Sequence, residues 1–284
     1  MIADEDLAAL RRLVGRPDLP VPVPLGAGTD HVAYAVDGDL VLRRPRLDGP
    51  GGAAAVEREI RVLDAVGRVS PVPVPTVVAA APEAGLLLLR RLPGTSLLES
   101  PCPDPWRLVD QLTAFLDAVY ALPTDLAPVD ADPLGDHLAE AAATMPVIAP
   151  VLSPAQHRLV ADFLAGTPPP EPPAGRFCHA DLGAEHLLAD GTGTRLTGVI
   201  DWSDAATTDP ARDLGRLYRD LGPGPTGAVV DGLTGPTDAH LPHRVVFHAR
   251  CALVEDLAFG LADGPRRYAD AALAALTRTF SDPD

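Results

Sequence analysis

The sequence predicts an α+β protein of two lobes, a small β-rich lobe over residues 1–92 and a larger, mostly helical one over 93–284. Three observations carry that reading. Short alternating apolar runs punctuated by Gly and Pro crowd the front third, helical apolar periodicity dominates the rest, and the change falls near residues 92–96.

The first element is a helix over 4–14 (DEDLAALRRLV), with Leu7, Leu10, Leu13 and Val14 on one face and acids in its first turn, where the helix dipole favours them. The Pro-rich stretch PDLPVPVP ends it. Val32, Tyr34 and Val36 then alternate, DGD makes a tight turn and LVLR follows, which reads as a β-hairpin with Gly26 and Gly28 just ahead of it. After GPGG, Val56, Ile60, Leu63 and Val66 line one face of a helix. PVPVPTVVAA and GLLLLRRLPG supply two more strands, closed by turn chemistry at Pro93-Gly94.

Beyond Gly94 the pattern predicts a helix over 105–122, opened by Pro105 behind Asp104 as N-cap. Further helices are expected near 134–144 and 154–165. TPPPEPP at 167–173 must be a stiff loop. FCHADL, HLLAD and RLTGVIDW read as short strands flanking a loop, and Asp209 before Pro210 as an N-cap. Helices over 210–221, 242–262 and 265–280 complete the chain.

Composition narrows the function. A formal net charge of -16 argues against a nucleic-acid or anionic-membrane partner, because phosphate surfaces call for Lys and Arg. No apolar run approaches a membrane span and the N-terminus lacks a signal segment. Cys102, Cys178 and Cys251 are scattered, with no CxxC pair, which suits a reducing compartment. A cytoplasmic location is expected.

The chemistry concentrates in HADLGAEH and the IDW that follows. Asp181, on a loop between short strands, can take a proton from a hydroxyl. His186 and Asp201 can converge on a divalent ion, and carboxylate, phosphate and water oxygens suit Mg²⁺. In the front third, Gly26 and Gly28 allow backbone N–H groups to approach phosphates, Arg43 ends LVLR where a cation would reach them, and Glu59 is placed to hold that cation. The same four residues His179, Asp181, His186 and Asp201 can also be read as the metal nest of a hydrolase. No GxSxG elbow offers a serine route.

The order of parts matches that of the kinase phosphoryl-transfer machinery, and the hydrolase reading stands as the alternative. HADLGAEHLL with GVIDWSDAATTDPARDLGRL resembles the aminoglycoside phosphotransferase family, whose pattern is close to HGDLxxxN followed by IDWxxAxxGDPxxDLA. The resemblance runs from Leu25 to the C-terminal helices. It implies a bilobal, protein-kinase-like fold with ATP or GTP in the interlobe cleft and Mg²⁺ as cofactor. It also implies that Asp181 is the catalytic base, that Asp201 and His186 bind metal, and that Arg43 replaces the usual phosphate-binding lysine with Glu59 as its partner. The backbone of Arg90 and Leu92 would meet the purine, while His179 and Asp213 would support the catalytic loop. His186 departs from the family's Asn but has precedent in macrolide-phosphorylating relatives. Gly183 stands where protein kinases carry a lysine, which favours a small-molecule acceptor.

That acceptor is expected to be an antibiotic with a free hydroxyl, of aminoglycoside, macrolide or cationic-peptide type. The acidity of the chain, including Asp204, Asp220, Glu255, Asp256 and Asp263, leans towards a cation, and His186 towards a macrolide. A non-catalytic nucleotide-binding module is the third reading; it rests on the substitutions at Arg43 and His186, and retention of both Asp181 and Asp201 counts against it.

Overall fold

The computed structural model describes residues 4–28, 31–47, 49–235, 237–262 and 264–281. Helix α1 (Asp4–Leu13) leads into a five-stranded antiparallel sheet of order β1-β2-β3-β5-β4, built from β1 (Val23–Ala27), β2 (His31–Val36), β3 (Leu40–Pro45), β4 (Val77–Ala81) and β5 (Leu86–Arg90). The β2–β3 hairpin pairs from His31↔Pro45 to Val36↔Leu40, and its turn places Asp37 and Gly38 at φ of 50° and 79°. This left-handed turn is what the DGD tripeptide suits.

Strand alternation gives the sheet two buried faces. Leu40, Leu42, Tyr34, Val36, Leu86 and Leu88 pack with Leu7, Leu10 and Leu19 beneath α1. Arg43, Leu87 and Leu89 face the other way, towards α2 (Gly49–Val69), whose Val56, Glu59, Val62, Leu63 and Val66 are buried. Helix α2 begins in the glycines, earlier than the apolar pattern suggests, with Pro50 in the first turn where its missing N–H costs nothing.

The chain leaves the sheet through Pro93-Gly94. Gly94 has φ of 111°, and a Cβ there would lie 2.2 Å from Thr197 Oγ1, so only glycine makes this crossing. Beyond it, β6 (Thr95–Ser96), β8 (Leu187–Ala189) and β9 (Leu196–Val199) form one small sheet, and β7 (Arg176–Cys178) pairs with β10 (Ala206–Thr208). These ribbons frame the segments 179–186 and 200–205. Around them lie α3 (Val109–Tyr120), α4 (Leu134–Ala143), the single turn α5 (Met145–Ile148), α6 (Pro154–Leu164), α7 (Ala211–Leu221), α8 (Pro223–Gly232), α9 (Leu241–Ala262) and α10 (Arg266–Phe280). One continuous core joins α2, α3, β7–β9 and α7, and a second packs α4 and α6 against α9 and α10. Among the described residues no helix is long and apolar enough to cross a membrane.

Three local expectations change. Residues 105–108 form a 3₁₀ turn before α3, and Asp104 makes no capping bond; its carboxylate lies 3.5 Å from Arg107 Nε, an ion pair that competes with the cap. Helix α8 was not anticipated, since its sequence PGPTGAVVDG is poor in helix formers. Its prolines sit in the first turn and Val229 is fully buried, so packing overrides propensity. Asp209 accepts the amide of Ala211 at 3.1 Å, but its other oxygen is held by Arg244 Nε at 2.7 Å, so it ties α7 to α9 as well.

Candidate active site

The loop after β7 is pulled into shape from below. Asp213 of α7 is fully buried and accepts the amides of His179 at 3.1 Å and Ala180 at 2.7 Å. Ala180 is thereby held at φ of 66°, where the resembled pattern has glycine. Burial lifts the Asp213 carboxyl to about 6, against the pull of those two amides.

His179 uses both ring nitrogens on the backbone: Nε2 donates to Ile200 O at 3.0 Å, and Nδ1 accepts from Asp181 N at 3.3 Å. Its ring packs 4.6 Å from Trp202, centroid to centroid, and burial drives its pKa down to about 4. A neutral ring with both nitrogens engaged has no lone pair to give a metal.

Above this floor, alternating charges run across the two lobes. Glu59 Oε1 accepts from Arg43 Nη1 at 2.7 Å, and Arg43 Nη2 donates to Asp201 Oδ1 at 2.6 Å. Ser203 Oγ donates to the same Asp201 oxygen at 2.8 Å, and the other oxygen, Oδ2, lies 3.7 Å from His186 Nε2. His186 Nδ1 donates to the backbone oxygen of Asp181 at 2.7 Å and lies 3.5 Å from Asp181 Oδ2. Asp181 Oδ1 is in turn 2.7 Å from Arg216 Nη2 of α7. Thus residues 43 and 59 come together with 181, 186 and 201, which lie far from them in sequence.

Burial alone would lift both Asp181 and Asp201, but their cations outweigh it. Arg216, then His186, hold Asp181 below the usual carboxylate range, and Arg43 with His186 holds Asp201 well below it. Burial raises Glu59 to about 7 against the opposing Arg43. His186 is raised to about 9, because Asp181, Glu185 and Asp201 together exceed its desolvation.

Asp201 Oδ2 and, once its proton is lost, His186 Nε2 would give a divalent cation two donors. The hydrogen bond from Nδ1 fixes the His186 ring so that Nε2 faces the Asp201 oxygen left over from Arg43 and Ser203. A carboxylate oxygen suits Mg²⁺, which keeps its remaining positions for water and phosphate; an imidazole is a less usual partner for it. Asp181, Glu185 and His186 also offer ligand atoms within 4.8 Å of one another, which brings Glu185 into the site.

The glycine turn lies in line with Arg43. Pairing places Gly26 opposite Ala33 and Ala33 opposite Arg43, so all three share one cross-strand row with only a methyl between. At about 4.8 Å per strand, Gly26 lies about 10 Å from Arg43. Gly28 N donates to His31 O at 2.9 Å, while Thr29 and Asp30 fall outside the described residues. At the crossing, Arg90 turns its side chain to an ion pair with Asp39, and Leu92 packs on Gly198.

Several site residues escaped the sequence reading: Arg216, Ser203, Glu185 and Arg219. The signal for two of them was present in DPARDLGRLYRD, where charges at 213, 216, 219 and 220 recur at helical spacing. Of the acids expected to ring a cationic ligand, Asp220 and Asp256 are fastened to Arg219, and Asp263 lies outside the described residues.

Against this geometry the comparisons are unambiguous at the level of family. Residues 7–242 match the phosphotransferase enzyme family, and the chain belongs to it. No curated protein matches the sequence. Among solved structures it resembles the GDP and kanamycin complex of APH(2")-IIia, with 21% identity over 97% of this chain and 98% of that one, at a TM-score of 0.69. It also resembles the macrolide 2'-phosphotransferase MphH from Brachybacterium faecium, with 22% identity over 98% of each chain and a TM-score of 0.61. A third, the wild-type aminoglycoside 2'-phosphotransferase-IIIa with GDP, is 23% identical over 98% of this chain and 99% of that one, at a TM-score of 0.68. At these identities the likeness shows the fold, which is the kinase-like α+β fold of this family.

Proposed function

We propose that the protein is a divalent-metal-dependent O-phosphotransferase that moves the γ-phosphate of ATP or GTP to a hydroxyl of a small molecule, of aminoglycoside, macrolide or cationic-peptide antibiotic type. The observation that carries it is the convergence of Glu59, Arg43, Asp201, His186 and Asp181 into one run of contacts between the sheet and the catalytic loop. The nucleotide would lie between residues 1–92 and 93–284, with its base against the backbone of Arg90 and Leu92 and its phosphates near Gly26, Gly28 and Arg43. Similar structures that carry GDP and ADP support a nucleoside triphosphate as co-substrate.

Asp181 orients the acceptor hydroxyl and takes its proton as the oxygen forms the new P–O bond; the nucleoside diphosphate leaves with the bridging oxygen. Arg43, fixed by Glu59, offers a planar donor fork to the phosphates. Asp201 and His186 would hold Mg²⁺, which supplies neutralisation of phosphate charge. His179 and Asp213 hold the loop from below. Catalysis on this reading is positioning and charge compensation in a site prepared beforehand.

The hydrolase alternative loses support because both His179 nitrogens are bonded to backbone, which removes one of its four ligands. Isothermal titration of ADP and GDP, with and without Mg²⁺, tests the proposal. Binding that needs the metal and is lost in Asp201→Asn is expected. A chain that binds neither nucleotide, or that carries tightly bound zinc or iron, would overturn it.

A further inference from the structure

Helix α7 lies along the catalytic loop and meets it turn by turn. Asp213 takes the amides of His179 and Ala180, Arg216 takes the carboxylate of Asp181, Arg219 reaches Glu185 at 3.4 Å, and Asp220 takes the amide of Ala184 at 2.7 Å. Residues three and four apart share a helix face, so one face of α7 follows the loop in register. Asp256 of α9 secures Arg219 from behind.

Most of these contacts fall on the backbone or on Glu185. Arg216 differs, because it meets the side chain placed against the acceptor hydroxyl. The loop HADLGAEH supplies no Lys or Arg of its own. A side chain at Gly183 would have to displace the Glu185 carboxylate, since its Cβ would lie 2.4 Å from Glu185 Oε2. The guanidinium beside Asp181 comes from α7, in addition to the His186 imidazole of the loop itself. Arg216 Nη2 forms an ion pair with Oδ1 at 2.7 Å, while Oδ2 lies 3.5 Å from His186 Nδ1, a group that already donates to the Asp181 backbone oxygen. The two carboxylate oxygens are thus unequal, Oδ1 facing the guanidinium and Oδ2 the imidazole.

We propose that Arg216 is a positioning residue for phosphoryl transfer, holding Oδ1 of Asp181 so that Oδ2 is presented to the acceptor hydroxyl. The inference rests on the function proposed above. A rigid helix delivers the guanidinium, and the ion pair anchors the carboxylate by its Oδ1 end more strongly than a neutral partner would. The acceptor oxygen then meets one carboxylate oxygen in one direction, as an in-line attack requires.

The test compares wild type, Arg216→Ala and Arg216→Lys in the slow hydrolysis of ATP and GTP by water, with nucleotide affinity and melting temperature measured on the same samples. Arg216→Ala is expected to lower kcat by about 100-fold while KM for nucleotide stays within about twofold. Lysine should recover part of the loss, and millimolar methylguanidinium should restore part of it to the alanine variant. If the alanine variant does not fold, the lysine variant carries the comparison through its own split between kcat and KM. Wild-type kcat in Arg216→Ala, or a raised KM at unchanged kcat, would overturn the proposal. So would a folded alanine variant that neither lysine nor methylguanidinium repairs, since that loss would be one of packing. A wild-type chain that hydrolyses neither nucleotide contradicts the phosphotransfer reading itself, and this inference with it.

Discussion

Asp213 gives the sharpest test of how the loop over 179–186 is held. Its carboxylate is fully buried and accepts two amides, those of His179 and Ala180. Asp213→Ala leaves both N–H groups buried without a partner, at about 1–3 kcal/mol each, so a loss of about 4 kcal/mol is expected. At about 2–4 °C per kcal/mol for a chain of this size class, the melting temperature should fall by about 8–16 °C. The same group predicts a pH dependence. Its folded pKa, about 6, lies above the ordinary value of 3.8, so the folded state binds more protons than the unfolded one between those values. Stability from this group therefore rises as pH falls through 6 and levels off below about 4, by about 3 kcal/mol in total. Asp213→Asn removes the titration while keeping one acceptor oxygen. Calorimetric melts of wild type, Asp213→Ala and Asp213→Asn from pH 8 to pH 5 measure both effects, since the wild-type minus Asn difference isolates this carboxyl from all others. An alanine variant that melts within about 3 °C of wild type, or an Asn variant with the wild-type pH slope, would refute the reasoning.

Other expectations follow from the same geometry. Arg43→Lys keeps the charge but loses the fork that reaches Glu59 and Asp201 together, so it should cost about 1–3 kcal/mol in thermal unfolding and weaken nucleotide binding in calorimetry. Arg43→Met, which leaves the buried Glu59 carboxylate without its cation, should cost about 3–5 kcal/mol. Ala180→Gly relieves a left-handed residue at φ of 66°, so the melting temperature should hold or rise, unlike that of an ordinary buried Ala→Gly change. Trp202→Ala removes a 1%-exposed ring stacked on Phe177 and packed on His179, at an expected cost of about 3–5 kcal/mol by denaturant titration.

What could be read from the sequence was whatever announces itself by local period or by short spacing. Alternation at Val32, Tyr34 and Val36 marked the hairpin, and His179, Asp181 and His186 lie within one loop, so their proximity needed no fold. Arg43 and Asp201 were legible only through the order of parts, since a contact across so long a stretch of chain has no local signature. Arg216 shows the limit. Its spacing from Asp213 placed both on one helix face, but nothing in the sequence said that this face lies against the loop rather than in water. Helix α8 failed for the opposite reason: its propensities are poor, and the burial of Val229 against neighbouring helices decides its state. Asp104 was misread because a cap and an ion pair with Arg107 compete for one carboxylate, a balance that spacing does not express.

The central claim is tested most directly by nucleoside diphosphate release in the presence of Mg²⁺, with ATP and GTP offered separately against aminoglycosides, macrolides and cationic peptide antibiotics. The account predicts turnover that depends on one class of acceptor, adds a phosphate to an acceptor hydroxyl by mass spectrometry, and disappears in Asp181→Ala while nucleotide binding persists. Turnover that survives Asp181→Ala would contradict it.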